Sequence, residues 1–225
     1  MKIWRPEWDC DFLKLEVRSV QLNDGDDVNA AIEMIQMGNV DFLQIFMRNE
    51  TSETIDGLKR LGANYFGTKI EYGKTLSADD REVCAGVKIA RQLCPEMYEL
   101  AFQAGHQSRY RLDSRLRKYF EPMYRIWMEK ILTEPANYFL LHVDTDGILL
   151  CHQNGRIELL AVAERARRRG IAGKLCMEAE NIWRHAMVKN IKVATQGENI
   201  NACRFYEAIG FKRESSTGIW HLWKK

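Results

Sequence analysis

The chain has 225 residues, 46% of them apolar and 28% charged, with only four prolines and a formal net charge of +2. That balance is the composition of a globular protein with a sizeable core, and it excludes a disordered, fibrous or broadly nucleic-acid-binding chain. No apolar run approaches the roughly 20 residues that span a bilayer, and Met1-Lys2-Ile3-Trp4-Arg5-Pro6-Glu7 is not a secretory leader. A cytoplasmic protein is therefore expected. The cysteines, Cys10, Cys84, Cys94, Cys151, Cys176 and Cys203, show no Cys-x-x-Cys spacing, so free thiols and no metal are expected.

In chain order, Phe12 to Val17 and Phe42 to Phe46 read as strands, separated by Val28, Ala31, Ile32 and Ile35 at helical spacing. Thr51-Ser52 opens a helix that stops near Leu61-Gly62, and Tyr65 to Tyr72 alternates as a third strand. The polar run from Gly73 to Asp80 is the expected linker between a small N-terminal α/β domain, 1–74, and a second domain, 75–225. Val87 to Ala90 reads as a short strand. Pro95 suits a first helical turn, and Pro122 opens a helix carrying Met123, Ile126, Trp127 and Ile131. Tyr138 to Val143 and Ile148 to His152 are strands joined at Asp146-Gly147, and Asn154-Gly155 is a two-residue hairpin signal leading into Arg156 to Val162. After Gly170 an amphipathic helix presents Ile171, Leu175, Ala179, Ile182, Trp183 and Ala186. Ile191 to Thr195 is a strand, a short helix from Asn201 ends at Gly210, and Phe211 to Glu214 with Ile219 to Trp223 reads as a terminal hairpin. No internal repeat is visible. The order predicts an α+β fold with one parallel crossover, from Val162 to Ile191.

The most informative stretch is Arg167-Arg168-Arg169-Gly170-Ile171-Ala172-Gly173. A strand that turns through such a loop into a helix leaves backbone N–H groups unpaired at the positive end of the helix dipole. That is an anion site, and Gly170 and Gly173 let a phosphate approach the backbone. The loop lacks the Gly-Lys-Ser/Thr of a P-loop, and no Gly-x-Gly-x-x-Gly is present. A pyrophosphate fits.

Arg167-x-x-Gly170-x-Ala172 after a strand resembles the acyl-CoA signature, Gln/Arg-x-x-Gly-x-Gly/Ala, of the GNAT acetyltransferases, and the predicted element order resembles theirs. Asn199-x-x-Ala202-x-x-x-Tyr206-x-x-x-Gly210-Phe211 is similar to their segment that lines the pantetheine arm and carries an acid. The resemblance implies a mostly antiparallel sheet, splayed at the acyl-CoA site and flanked by helices. It implies acetyl-CoA as co-substrate, held by the backbone of Leu160, Ala161 and Val162, by Arg167, Arg168, Arg169, Gly170, Ile171, Ala172 and Gly173, and by Asn199, Ala202 and Tyr206. Trp8 to Phe12, Ser108-Arg109-Tyr110, Ala194-Thr195-Gln196 and Trp220 to Trp223 resemble one branch, the dTDP-fucosamine acetyltransferases. Tyr110 stands where that branch usually has phenylalanine. This narrower resemblance implies N-acetylation of a dTDP-linked 4-amino-4,6-dideoxy sugar for surface polysaccharide, and a homodimer.

Direct acetyl transfer needs a neutral amine, a polarised thioester carbonyl and a proton for the leaving thiolate. Placing amine and thioester side by side supplies much of the rate, and a backbone N–H of Leu160 to Val162 can polarise the carbonyl. Tyr206 is the candidate acid; by spacing alone it reads as a core aromatic beside Phe205. Glu158 is the candidate base, or it faces solvent or pairs with an arginine; His152 is a second candidate. Arg109 and Arg111 suit a diphosphate, with Tyr110 between them to stack on a base, or the three form a solvated loop. Two other readings stay open: a different amine acceptor, and a CoA-binding module without catalysis.

Overall fold

A computed structural model describes residues 1–23, 26, 38–48, 50–77 and 84–224. The helix expected over Val28 to Ile35, and the end of the expected linker, lie outside these residues. The chain forms two compact units. One comprises Met1–Ile70, Gln196–Glu198 and Ser215–Lys225; the other comprises Glu71–Thr195 and Asn199–Glu214. A single cut after residue 74 therefore does not describe them: the division falls at 70/71, and the end of the chain returns to the first unit.

In the first unit, β1 (Lys2–Trp4), α1 (Glu7–Leu13), β2 (Val17–Leu22), β3 (Phe42–Met47) and α2 (Ser52–Arg60) are joined by parts of two long strands, β4 (Asn64–Thr75) and β10 (Lys212–Trp223). The strand order is β1-β2-β3-β10-β4. β2 and β3 run parallel in six successive pairs, Val17↔Phe42 to Leu22↔Met47. β10 lies antiparallel to β3 from Gly218↔Met47 to Trp223↔Phe42. Alternate residues of these strands point to one face, so Val20, Leu22, Leu43, Ile45, Met47, Trp220 and Leu222 share a core with Leu58 of α2. Thr51 caps α2 in a reciprocal box with Thr54.

Two expectations fail here. Phe12 to Val17 is not one strand. Cys10 and Leu13, three apart, bury one face of α1, acidic Glu7 and Asp9 occupy its first turn, and Lys14 at φ 57° ends it. Nor does the chain end in a hairpin. Ser215 to Gly218 looks like a turn, but β10 is continuous over 12 residues. At Gly218 the Glu50 carboxylate lies where a side chain would be, accepting the Trp220 indole N–H at 2.9 Å, so a larger residue would displace it.

The second unit contains β5 (Lys88–Ile89), α3 (Pro95–Ala104), α4 (Arg109–Leu112), α5 (Phe120–Thr133), β6 (Tyr138–Val143), β7 (Gly147–His152), β8 (Arg156–Val162), α6 (Ile171–His185), β9 (Asn190–Gln196) and α7 (Ile200–Ala208). Its strand order is β4-β9-β8-β7-β6-β5. β5 to β8 are antiparallel, and β8 and β9 are parallel. α3 packs on β7 and β8, and α6 on β6 to β8. A side chain at Gly147 would strike Ile171 of α6 at 2.6 Å, so glycine lets the start of α6 sit directly on β7. Farther along α6, Glu180 is 3% exposed and takes ion pairs from Lys74 of β4 and from Arg184.

One element order occurs twice: strand, crossover, parallel strand, short helix, 12-residue strand. It runs as β2, β3, α2, β4 and again as β8, α6, β9, α7, β10. The first crossover lies largely outside the described residues. The sequence reading, which saw no internal repeat, did not anticipate this recurrence of architecture.

Candidate functional site

β8 changes partner geometry in its middle. Its register with β7 passes from Cys151↔Ile157 to Leu150↔Leu159, which makes Glu158 the extra residue of a β-bulge. A bulge bends its strand and raises the local twist. The ladder with β9 covers Arg156↔Lys192 and Ile157↔Val193. Among the described residues it stops there, although the strands run on to Val162 and Gln196. The β9-facing edge of β8 beyond Ile157 thus leaves the sheet at the bulge, where its backbone groups can meet a ligand. Leu160 and Val162 are half-buried on that strand, and Leu159 and Ala161 are buried.

After β8 a 3₁₀ turn, Glu164–Ala166, leads to Arg167 in extended conformation, Arg168 at φ 64° and Gly170 at φ 79°. Gly170 is the N-cap of α6. It makes no side-chain cap, and no acidic residue stands in the first turn. The N–H groups of Ile171, Ala172 and Gly173 have no intrahelical acceptor. A Cβ on Gly170 or Gly173 would meet nothing within 4 Å, so the approach is open. Arg165 pairs with Asp146 at 2.9 Å and Arg169 with the same carboxylate at 3.6 Å. Arg167 donates Nε to the Val162 carbonyl at 3.3 Å. Arg168 is exposed, with no side-chain partner among the described residues. Positive charge and uncapped amides together make an anion site.

α7 carries the other predicted residues, Asn199, Ala202 and Tyr206. Asn199 caps it, its Oδ1 accepting from Ala202 N at 3.2 Å, which leaves the amide nitrogen as a donor. Gly210 at φ 91° and the bond from Phe211 N to the Tyr206 carbonyl close the helix. Tyr206 is 5% exposed and its ring packs among Tyr72, Phe205 and Phe211. Its hydroxyl has no hydrogen-bond partner among the described residues. Burial pushes this phenol well above 10, and the thiols of Cys176, Cys151 and Cys203 add to the effect. It stays protonated through the neutral range.

The remaining predicted residues sit as follows. The half-buried Glu158 pairs with Arg156 Nε at 3.5 Å. His152 Nδ1 accepts from Asn154 N at 3.0 Å and its carbonyl accepts from Trp183 Nε1 at 3.0 Å, a turn-holding arrangement. Arg109 to Arg111 are in α4, not a loop. Tyr110 is 4% exposed with the Arg109 guanidinium 5.4 Å from its ring centre, so its ring offers little face for stacking on a base. Arg111 lies over Phe120 at 5.3 Å. Among the described residues no cluster of three or more His, Cys, Asp or Glu could hold a metal, and no helix is long and apolar enough to cross a membrane. The sequence reading missed the bulge at Glu158 and the bond from Tyr72 to Glu207.

The acids buried in this unit predict an alkaline weakness. Burial raises Cys176 to about 12, Cys151 well above 9 and Tyr124 to about 12, besides Tyr206. The folded values exceed the unfolded ones, so the stabilisation is complete below the unfolded pKa, about 8.5 for thiols and 10 for phenols. It is lost as pH rises above that. Urea-unfolding free energy is expected to be flat from pH 7 to 8 and to fall beyond pH 9 by about 1.4 kcal/mol per pH unit per thiol. A flat profile to pH 10.5 would reject this.

A model of the acetyltransferase (GNAT) family matches residues 87–211, more than half of the chain. No curated protein matches the sequence. Among solved structures, a GCN5-related N-acetyltransferase from Sphaerobacter thermophilus is similar at 16% identity and TM-score 0.54, over 87% of this chain and 66% of that one. A conserved protein of unknown function from Staphylococcus epidermidis is similar at 15% identity and TM-score 0.55, over 88% and 79%. A tandem GNAT protein from the clavulanic acid biosynthesis pathway is similar at 13% identity and TM-score 0.52, over 86% and 67%. The chain thus spans just under two thirds of the first of these. At such identities the likeness is one of fold.

Proposed function

Because the chain belongs to the acetyltransferase (GNAT) family, we propose that it moves the acetyl group of acetyl-CoA directly to the amine of a nucleotide-linked amino sugar, of the dTDP-4-amino-4,6-dideoxyhexose type. The observation that carries the acetyl-CoA reading is the β8–β9 ladder ending after two pairs, directly before an uncapped, arginine-flanked helix start. Residues 168–173 hold the diphosphate through backbone amides and the Arg168 guanidinium. The freed edge of β8 from Leu160 to Val162 and the Asn199 amide hold the pantetheine arm, against Ala202. A β8 N–H polarises the thioester carbonyl, a fixed donor where negative charge develops. Tyr206 donates a hydrogen bond to the leaving sulfur, whose net proton comes from the ammonium formed by attack. Glu158 takes the ammonium proton through water.

The acceptor reading rests on the branch-like segments and on two cations. Arg109, half-buried, and Arg111, exposed, suit a diphosphate in bidentate fashion; the buried Tyr110 braces α4 instead of meeting the base. With this acceptor the protein works as a cytoplasmic homodimer in surface polysaccharide synthesis.

The test is thiol release and product mass with acetyl-CoA and a panel holding dTDP-4-amino-4,6-dideoxygalactose, its gluco epimer, polyamines and peptides. Turnover of a dTDP sugar is expected. Turnover of other amines alone overturns the acceptor and keeps the reaction. No turnover, together with no acetyl-CoA binding by calorimetry, overturns both.

A further inference from the structure

Resting on the acid role proposed for Tyr206, we propose that Tyr72 is a positioning residue for it, setting the place of the Tyr206 hydroxyl through α7. Tyr72 lies in β4, far from any motif, and is 1% exposed. Its hydroxyl donates to Glu207 Oε1 at 2.9 Å and lies beside the Cys203 thiol. Cys203 and Glu207 are four apart, so they stand one above the other on one face of α7. Tyr206 is the neighbour of one and lies a turn from the other. The rings of Tyr72 and Tyr206 are 6.1 Å apart.

The Tyr206 hydroxyl has no hydrogen-bond partner of its own among the described residues. Its place is therefore set by ring packing and by the rotation of α7 about its axis. α7 has nine residues, and Asn199 ties its first turn. Tyr72 ties its last. A tyrosine hydroxyl stands about 8–9 Å from the axis of a helix whose Cα radius is about 2.3 Å, so a rotation of about 10° moves it by roughly 1.5 Å. A displacement of that order costs a transfer step about tenfold or more. The diphosphate site on α6 is built from other residues and is untouched by such a rotation.

Steady-state kinetics with acetyl-CoA and the amine turned over in the panel test this, with CoA affinity by calorimetry. Tyr72→Phe and Glu207→Leu are expected to lower kcat about tenfold, with KM for acetyl-CoA and Kd for CoA within twofold. Glu207→Gln keeps an acceptor oxygen and stays near wild type. On a Tyr206→Phe background, Tyr72→Phe is expected to change kcat by less than twofold, because groups that act as a unit are not additive. A full tenfold loss on that background, or an unchanged kcat for Tyr72→Phe, overturns the proposal. One readout needs no transfer. With 3-fluorotyrosine in place of Tyr206, the fluorine resonance is expected to shift in Tyr72→Phe and not in Glu207→Gln; an unmoved resonance in Tyr72→Phe overturns the positioning role even if no amine is ever acetylated.

Discussion

Tyr206→Phe is expected to lower kcat by about two orders of magnitude while Kd for CoA moves less than twofold. General acids contribute about 10²–10⁴-fold when they act only in the transition state. The substitution is a clean one here. It keeps the ring that packs among Tyr72, Phe205 and Phe211, and it removes a hydroxyl that has no hydrogen-bond partner among the described residues. No partner is orphaned, so stability should hold or rise slightly. An interaction made only in the transition state lowers kcat and kcat/KM equally, and that is the pattern to look for at saturating acceptor. A kcat within threefold of wild type removes Tyr206 from the chemistry.

The environment of Tyr206 also limits how it acts. Its phenol lies well above 10, whereas an ordinary thiol lies near 8.5. Full proton transfer from the phenol to the thiolate is uphill. In the proposed mechanism Tyr206 therefore works as a hydrogen-bond donor to sulfur as charge develops, and the net proton comes from the ammonium formed by attack. The rate should accordingly show no alkaline limb from Tyr206 up to about pH 10.

The legible parts of the molecule were those written in local spacing. β6, β7 and β8 followed from short apolar runs joined at two turn signals, Asp146-Gly147 and Asn154-Gly155, and α6 from its apolar stripe. The start of α6 was legible because Gly170, at φ 79°, marks it. α1 was not, because Phe12, Leu13, Leu15 and Val17 fit a strand period as well as a short helix. The bulge at Glu158 left no trace, because Ile157, Leu159 and Ala161 keep alternating burial across it. Gly218 read as a turn residue because its partner, Glu50, is remote in sequence. Tyr72 and Glu207 are 135 positions apart; no spacing rule reaches that far. The duplicated element order was invisible because what recurs is topology, not residues.

That topology predicts that residues 75–225 will not fold alone, although the polar run after Gly73 invites a cut there. The fragment lacks Glu71 to Lys74, which belong to the unit that holds the candidate site and to the strand next to β9. β9 would become an exposed edge. Tyr72 would be gone from beneath α7, and Glu180, 3% exposed, would lose Lys74. Leaving a buried charge wholly unpaired costs about 3–5 kcal/mol, and Glu180, which keeps Arg184, would lose part of that. At the other end, the six residues Gly218 to Trp223 would lose their ladder with β3. Trp220 and Leu222, buried in the first unit's core, would face water, at about 1.5–3 kcal/mol each. Those losses together match the 5–15 kcal/mol that holds a typical domain folded. Circular dichroism melting and size-exclusion chromatography of 75–225 beside the full chain should give aggregation or no cooperative transition for the fragment. A fragment that melts cooperatively and binds CoA would mean that β4 and the tail of β10 lend little, and that the cut after residue 74 was the natural one after all.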